Sequence, residues 1–197
     1  MTLKNLSDNV KTPVFSLQEV LKLFPQESSN SVKTQFKRFV ARGDLQRIRY
    51  GLYKFPATTI DEYVLANLLC QPSYVSLETV LNNNGVIPDV AMNVTSLTTL
   101  AGRNIVASGS TFLYSKISRK LYYGFDRLQD RNSIYYYNIA CTEKALLDLI
   151  YIRRVKSLNE YRFNFESIDA DKLKELAQEF PSWVKEVLNE QFKIPVS

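Results

Sequence analysis

Apolar residues recur at helical spacing through two successive stretches near the amino end, and closer to strand spacing in the segment after them. Leu17, Val20, Leu21 and Phe24 fall on one stripe. Val32, Phe36, Phe39 and Val40 fall on another, at about 100° per residue. Ser16-Leu17-Gln18-Glu19 is a capping box: the serine oxygen accepts from the backbone N–H of Glu19, and the glutamate carboxylate accepts from the serine N–H. A helix starts there, with Phe15 before the cap as a staple residue and Pro25 as its stop. The second helix opens at Ser28 to Asn30 and runs to about Arg42, where Gly43 supplies the left-handed residue that ends many helices. Leu45-Gln46-Arg47-Ile48-Arg49, the turn Tyr50-Gly51 and Leu52-Tyr53-Lys54-Phe55 then predict a β-hairpin, although Leu45 and Ile48 do not share one strict alternation. A short leading helix over residues 2–11 would put Leu3, Leu6 and Val10 on one face.

Beyond the loop FPATT the pattern predicts a helix near Ile60 to Cys70, with Tyr63, Ala66, Leu69 and Cys70 toward a core. A second, SLETVLNN, opens at Ser76 and Glu78 and ends at Gly85. From Ala91 to Asn138 the chain turns to β-branched and aromatic runs, MNVTSLTTL, NIVAS, TFLYSKI, KLYYGF and SIYYYNI, which read as strands. A helix then begins at Thr142-Glu143-Lys144 and buries Ala145, Leu146, Leu149, Ile150 and Ile152, with Glu143 near its positive end. For Glu143 and Asp148 a solvated face competes with a docking or regulatory surface. Two further helices, Asp169–Glu179 and Pro181–Phe192, would fold onto the body or onto a partner through Leu173, Leu176, Trp183, Val187 and Leu188.

Charge divides the chain. Residues 1–54 hold 10 Lys/Arg and 4 Asp/Glu, a net of +6, against +5 for all 197 residues, so the rest carries −1. A basic character confined to one end suits a module that meets a polyanion. Asn30, Thr34, Lys37, Arg38 and Ala41 lie opposite the buried stripe of the second helix, with Lys33 and Arg42 on its flanks. Such a face suits a major groove, where Lys and Arg read guanine edges and Asn reads adenine. The plainer reading is a solvated amphipathic helix, but a solvated face usually carries glutamates about four residues from its lysines. Between Ser31 and Gly43 there is none.

Arg47, Arg49 and Lys54 decorate the hairpin that follows. Helix, helix and basic wing is the order of a winged helix-turn-helix, whose second helix enters the major groove while the wing meets the backbone or minor groove. The expected fold class is α+β: a winged helix-turn-helix DNA-binding domain over residues 1–56, then a larger α+β domain over 57–197 with a mostly antiparallel sheet and helices against one face. The expected DNA contacts are Asn30, Ser31, Lys33, Thr34, Lys37, Arg38, Arg42, Arg47, Arg49 and Lys54.

Other chemistries find little purchase. The chain has no histidine, which removes the commonest general base and the commonest zinc ligand. Cys70 and Cys141 lack CxxC spacing and read as small apolar residues in a reducing cytosol. No apolar run approaches the ~20 residues of a membrane span, and MTLKNLSDNVKT lacks the apolar middle of a signal peptide, so a cytoplasmic protein without cofactor is expected. A metal-dependent nucleic-acid enzyme would need a carboxylate cluster, for which Asp126, Asp130, Glu143 and Asp148 are the candidates. Tyr122-Tyr123 and Tyr135-Tyr136-Tyr137 invite comparison with a stacking platform for single strands, but such residues more often fill and cover a sheet.

VFSLQEVLKLF followed by FKRFVARGDLQRIRYGLYKF resembles the N-terminal domain of AbiE-type antitoxins, in which an arginine-rich segment ending in G-x-Y closes a winged head. The resemblance falls on Gly43, Leu45, Arg47, Ile48, Arg49, Gly51, Leu52 and Tyr53. It continues in Pro72-Ser73-Tyr74-Val75-Ser76-Leu77-Glu78, in Asn84-Gly85-Val86-Ile87-Pro88, and in Ile139-Ala140-Cys141-Thr142-Glu143-Lys144-Ala145-Leu146-Leu147-Asp148. Cys141-Thr142 departs from the usual Thr-Pro of the last motif, and Asn84 stands where histidine is frequent. The resemblance implies a repressor that binds inverted repeats of double-stranded DNA in its own operator, as a dimer or as monomers. It also implies an antitoxin that counteracts a nucleotidyltransferase-like toxin, directly or indirectly. A stand-alone DNA-binding regulator is the nearest alternative.

Overall fold

The computed structural model describes residues 1–88, 92–131, 133–160 and 162–192. The chain is α+β and divides into two compact units, the first made up of Met1–Ile60 together with residues 133–134 and the second of the other described residues from Asp61 onward.

The first unit runs α1 (Leu3–Asn9), β1 (Val14–Ser16), α2 (Leu17–Leu23), α3 (Ser29–Ala41), β2 (Gln46–Arg49) and β3 (Leu52–Lys54). The capping box of α2 is present, with Glu19 N–H donating to Ser16 Oγ at 3.1 Å and Ser16 N–H donating to the Glu19 carboxylate at 2.5 Å. Phe15 is more than a staple. It sits on a strand opposite Tyr53, and the three strands form an antiparallel sheet in the order β1-β3-β2. The broken alternation of the hairpin has a local cause: the β2–β3 register shifts between Arg47 and Arg49, a bulge. The shift leaves both Leu45 and Ile48 buried although they are three residues apart. Gly51, at φ 78°, makes the turn between the strands. The core of this unit joins Leu6, Val20, Phe24, Val32, Phe36, Phe39 and Leu45 around Phe15.

The second unit contains α4 (Glu62–Leu69), β4 (Ser73–Val75), α5 (Glu78–Asn83), β5 (Val94–Thr98), β6 (Arg103–Ala107), β7 (Ser110–Lys116), β8 (Phe125–Gln129), β9 (Tyr136–Ala140), α6 (Thr142–Arg153), α7 (Ala170–Ala177) and α8 (Ser182–Phe192). Its six-stranded sheet has the order β6-β7-β5-β4-β9-β8. The sheet is mixed: β4 with β9 and β5 with β7 are parallel, and the other three pairings are antiparallel. β4 lies near the middle of this order and is buried at all three residues, so it has no polar face to alternate with an apolar one. α4 packs on β4 and β9, whereas α6 packs against α5, α7 and α8 as well as β9.

The run KLYYGF is not a strand. Arg119–Leu121 is a turn of 3₁₀ helix, and Tyr122-Tyr123-Gly124 is loop leading into β8. Its aromatics serve packing instead, Tyr122 meeting Tyr74 at 5.2 Å between ring centroids and Phe125 at 5.0 Å. The C-terminal helices fold onto the body through buried Leu173, Val187 and Leu188 and half-buried Leu176 and Trp183. No helix among the described residues is long and apolar enough to cross a membrane.

Candidate nucleic-acid interface

Helix α3 is capped by Ser28, whose Oγ accepts from the backbone N–H of Ser31 at 3.1 Å. Burial of Val32, Phe36 and Phe39 turns one face inward. That fixes the direction of the other: Asn30, Lys33, Thr34, Lys37, Arg38, Ala41 and Arg42 are all exposed. Arg47 and Arg49 are exposed on β2 in the same unit. Among the described residues Lys33, Lys37, Arg38, Arg47 and Arg49 take part in no ion pair. Five uncompensated cations in one small unit raise the local potential and leave their N–H donors free for an incoming anion.

Three expected contacts are committed inside the fold. Ser31 is half-buried; its hydroxyl donates to Glu27 Oε2 at 3.0 Å and accepts from Gln35 Nε2 at 3.2 Å, a local support for the first turn of α3. Glu27 also pairs with the Met1 amino group, and these two partners hold its carboxyl below the usual range. The Arg42 guanidinium bonds Asp44 Oδ2 at 2.6 Å and 2.8 Å and lies over the Phe39 ring at 5.3 Å. Lys54 is half-buried, and its Nζ donates to the Thr58 carbonyl at 2.6 Å. The free set is therefore Asn30, Lys33, Thr34, Lys37, Arg38, Arg47 and Arg49.

The second unit holds a polar cluster that the sequence pattern did not expose. Lys144 and Asp148, one helical turn apart on α6, are both fully buried and ion-paired. Asp148 Oδ2 accepts from Ser76 Oγ at 2.8 Å and from the Tyr74 hydroxyl at 3.0 Å, and Lys144 Nζ donates to that same hydroxyl at 2.9 Å. The ammonium sits among the rings of Phe180, Tyr74 and Tyr123, at 5.1, 5.2 and 5.5 Å from their centroids. Burial pushes the Asp148 carboxyl up and the Lys144 ammonium down, and their mutual attraction opposes both shifts. Gly124 is required beside them: its φ is +72°, and a Cβ there would lie 3.1 Å from Lys144 Cδ and Cγ and 3.3 Å from Leu176 Cδ2.

Glu143 is also buried. Its Oε1 accepts from the Asp169 N–H at 3.1 Å, and its Oε2 meets Lys172 Nζ at 3.3 Å. Neither Glu143 nor Asp148 thus belongs to a solvated face or to a docking surface. Asp126, by contrast, is exposed on β8. Among the described residues no group of three or more His, Cys, Asp or Glu side chains is arranged to hold a metal ion. The tyrosines do not form a continuous platform. Tyr137 meets Tyr63 edge to face at 5.8 Å, while exposed Tyr136 is capped by Arg127 at 4.7 Å.

A scan against protein-family models finds no match for this chain, and a comparison with curated proteins finds none either.

Proposed function

We propose that the chain is a sequence-specific DNA-binding transcriptional repressor, and that it acts in the cytoplasm as the antitoxin of an abortive-infection toxin–antitoxin operon. In this reading the first unit is a winged helix-turn-helix. Support comes from its order, helix, strand, helix, helix, hairpin, with β1 closing a small sheet beside β3. α2 and α3 are the helix-turn-helix pair, α3 is the recognition helix, and β2–β3 is the wing.

The observation that carries the reading is the exposed face of α3, where Lys33, Lys37 and Arg38 stand beside Asn30 and Thr34 without an acidic partner. Asn30 and Thr34 offer hydrogen bonds to base edges, and the cations offer contacts to guanine or phosphate. Arg47 and Arg49 add phosphate contacts from the wing. The larger unit, in the same reading, has no catalytic centre and serves to oppose a nucleotidyltransferase-like toxin, as the resemblance to AbiE-type antitoxins implies.

The test begins with duplexes selected by the protein from a random-sequence library and with its own upstream region. Sequence-specific retention with a log–log salt slope near −4 to −5 is expected from five phosphate contacts, at about −0.9 each. Retention of no duplex overturns the reading. Co-expression with a nucleotidyltransferase-like gene from the adjoining locus tests the antitoxin role, and growth arrest unrelieved by this chain leaves a stand-alone regulator as the better description.

A further inference from the structure

We propose that Tyr50 is a groove contact to duplex DNA, its ring entering the minor groove at the edge of the site while Arg47 and Arg49 hold the adjacent phosphates. This rests on the reading of the first unit as a DNA reader, and it adds a residue of a different chemistry to the cationic set. Tyr50 occupies the turn of the β2–β3 hairpin and is 84% exposed. Among the described residues of Met1–Ile60 one other large hydrophobic residue is exposed, Leu23 at 48% on α2; Ile134, at 61%, belongs to the same unit but lies outside the hairpin.

A lone exposed apolar side chain is ordinary on a protein surface. This one stands out by its position, in the turn of the β2–β3 hairpin beside Arg47 and Arg49, whose side chains are exposed and take part in no ion pair. Gly51 completes the turn at φ 78°, its carbonyl accepting from the Leu17 N–H at 3.0 Å, and beyond its chain neighbours no atom lies within 4 Å of where a Cβ would stand. Apolar wedges flanked by cations are the means by which projecting segments enter a minor groove, partly unstacking a base step. Tyrosine suits the task because it offers a large rigid ring with two side-chain torsions to fix. A single-stranded ligand is disfavoured, since stacking platforms present several rings to successive bases, and no second exposed ring adjoins Tyr50 in the turn.

Apolar insertion and phosphate pairing respond differently to salt. Only the second releases counterions, so removal of the ring weakens binding without altering the salt slope. The experiment compares the wild-type chain with Tyr50→Ala, Tyr50→Phe and Arg49→Ala on duplexes that the wild type selects, measuring affinity against salt, hydroxyl-radical protection of the sugars and the melting temperature. For Tyr50→Ala the expected result is affinity lower by about tenfold, an unchanged salt slope, an unchanged melting temperature, and renewed cleavage at one short tract at the edge of the footprint. Tyr50→Phe should retain affinity within about twofold. Arg49→Ala should make the slope shallower by about 0.9.

Wild-type affinity or an unchanged footprint in Tyr50→Ala overturns the proposal while leaving the DNA-reader reading intact. Equal losses in Tyr50→Phe and Tyr50→Ala overturn it as well, by assigning the contact to the hydroxyl. Selection of no duplex by the wild type overturns both readings together.

Discussion

The rings of Phe36 and Tyr53 meet edge to face, with centroids 4.7 Å apart and planes at 81°, and so fasten α3 to the central strand of the small sheet. Phe36 also meets Phe15 at 6.2 Å and Phe39 at 6.4 Å, so one side chain joins β1, α3 and β3. Edge-to-face pairs add to the burial of the rings themselves. Phe36→Ala should therefore destabilise the first unit by about 3–5 kcal/mol. Urea unfolding followed by circular dichroism measures the loss, and DNA retention should fall in parallel with the folded fraction. A loss below about 1 kcal/mol would mean that the helix and sheet are held together elsewhere.

Lys37 and Arg38 sit on the opposite side of the same helix, exposed and outside any ion pair. Replacing either with alanine removes no packing, so the melting temperature should stay within about 2 °C of the wild type. Binding should weaken by at least about 1 kcal/mol for each. Affinity across a panel of single-base variants of a selected duplex assigns the contact. Loss of preference at one base pair marks a base edge, and uniform weakening with a shallower salt slope marks a phosphate. Unchanged affinity in both variants would remove α3 from the interface.

The buried pair in the second unit makes an asymmetric prediction. Removing one partner, as in Asp148→Ala or Lys144→Ala, leaves an uncompensated charge among rings and aliphatic side chains, and it should cost about 3–5 kcal/mol. The double replacement Lys144→Met with Asp148→Leu removes both charges and leaves side chains of similar volume. It should recover most of that loss, apart from the hydrogen bonds of Tyr74 and Ser76. Thermal and urea unfolding of the three variants gives the comparison. Near-wild-type stability in both single variants would show that the pair is hydrated in solution.

How far the sequence foretold these features depended on whether each signal was local. The caps and stripes of α2 and α3 are local: a capping box and three to four apolar residues at helical spacing specify them without reference to the rest of the chain. The bulge at Ile48 left a trace in the broken alternation of Leu45 and Ile48, which fixed the hairpin but not its register. β1 and β4 are three residues long and nearly wholly buried, so neither has the alternation that marks a half-exposed strand.

Lys144 and Asp148 carry part of their signal locally. Their spacing of four residues is that of a helical ion pair, and Ala145, Leu146, Leu147, Leu149 and Ile150 surround them on every side of α6. A helix apolar all round is a buried helix, so its charges had to be partnered within the fold. Tyr74 on β4 and Ser76 just after it, which complete the cluster, lie some seventy residues earlier, and no pattern along the chain announces that meeting.

Glu143 links α6 to the start of α7 and provides the pH dependence. Burial raises its carboxyl, but the N–H groups of its own residue and of Asp169, with Cys141 and Lys172, outweigh that effect and hold it below the ordinary carboxylate range. A carboxyl whose folded value lies below its unfolded one contributes stability that is complete above the unfolded value. That contribution is lost as pH falls through the folded value, because the unfolded chain takes up the proton first. The wild-type protein should therefore lose stability on acidification below the ordinary carboxylate range more steeply than Glu143→Gln. The amide retains an acceptor for the Asp169 N–H but cannot titrate. Urea midpoints measured between neutral pH and about pH 3.5 should converge for the two proteins at the acid end. A constant gap over the whole range would place the role of Glu143 in packing rather than in charge.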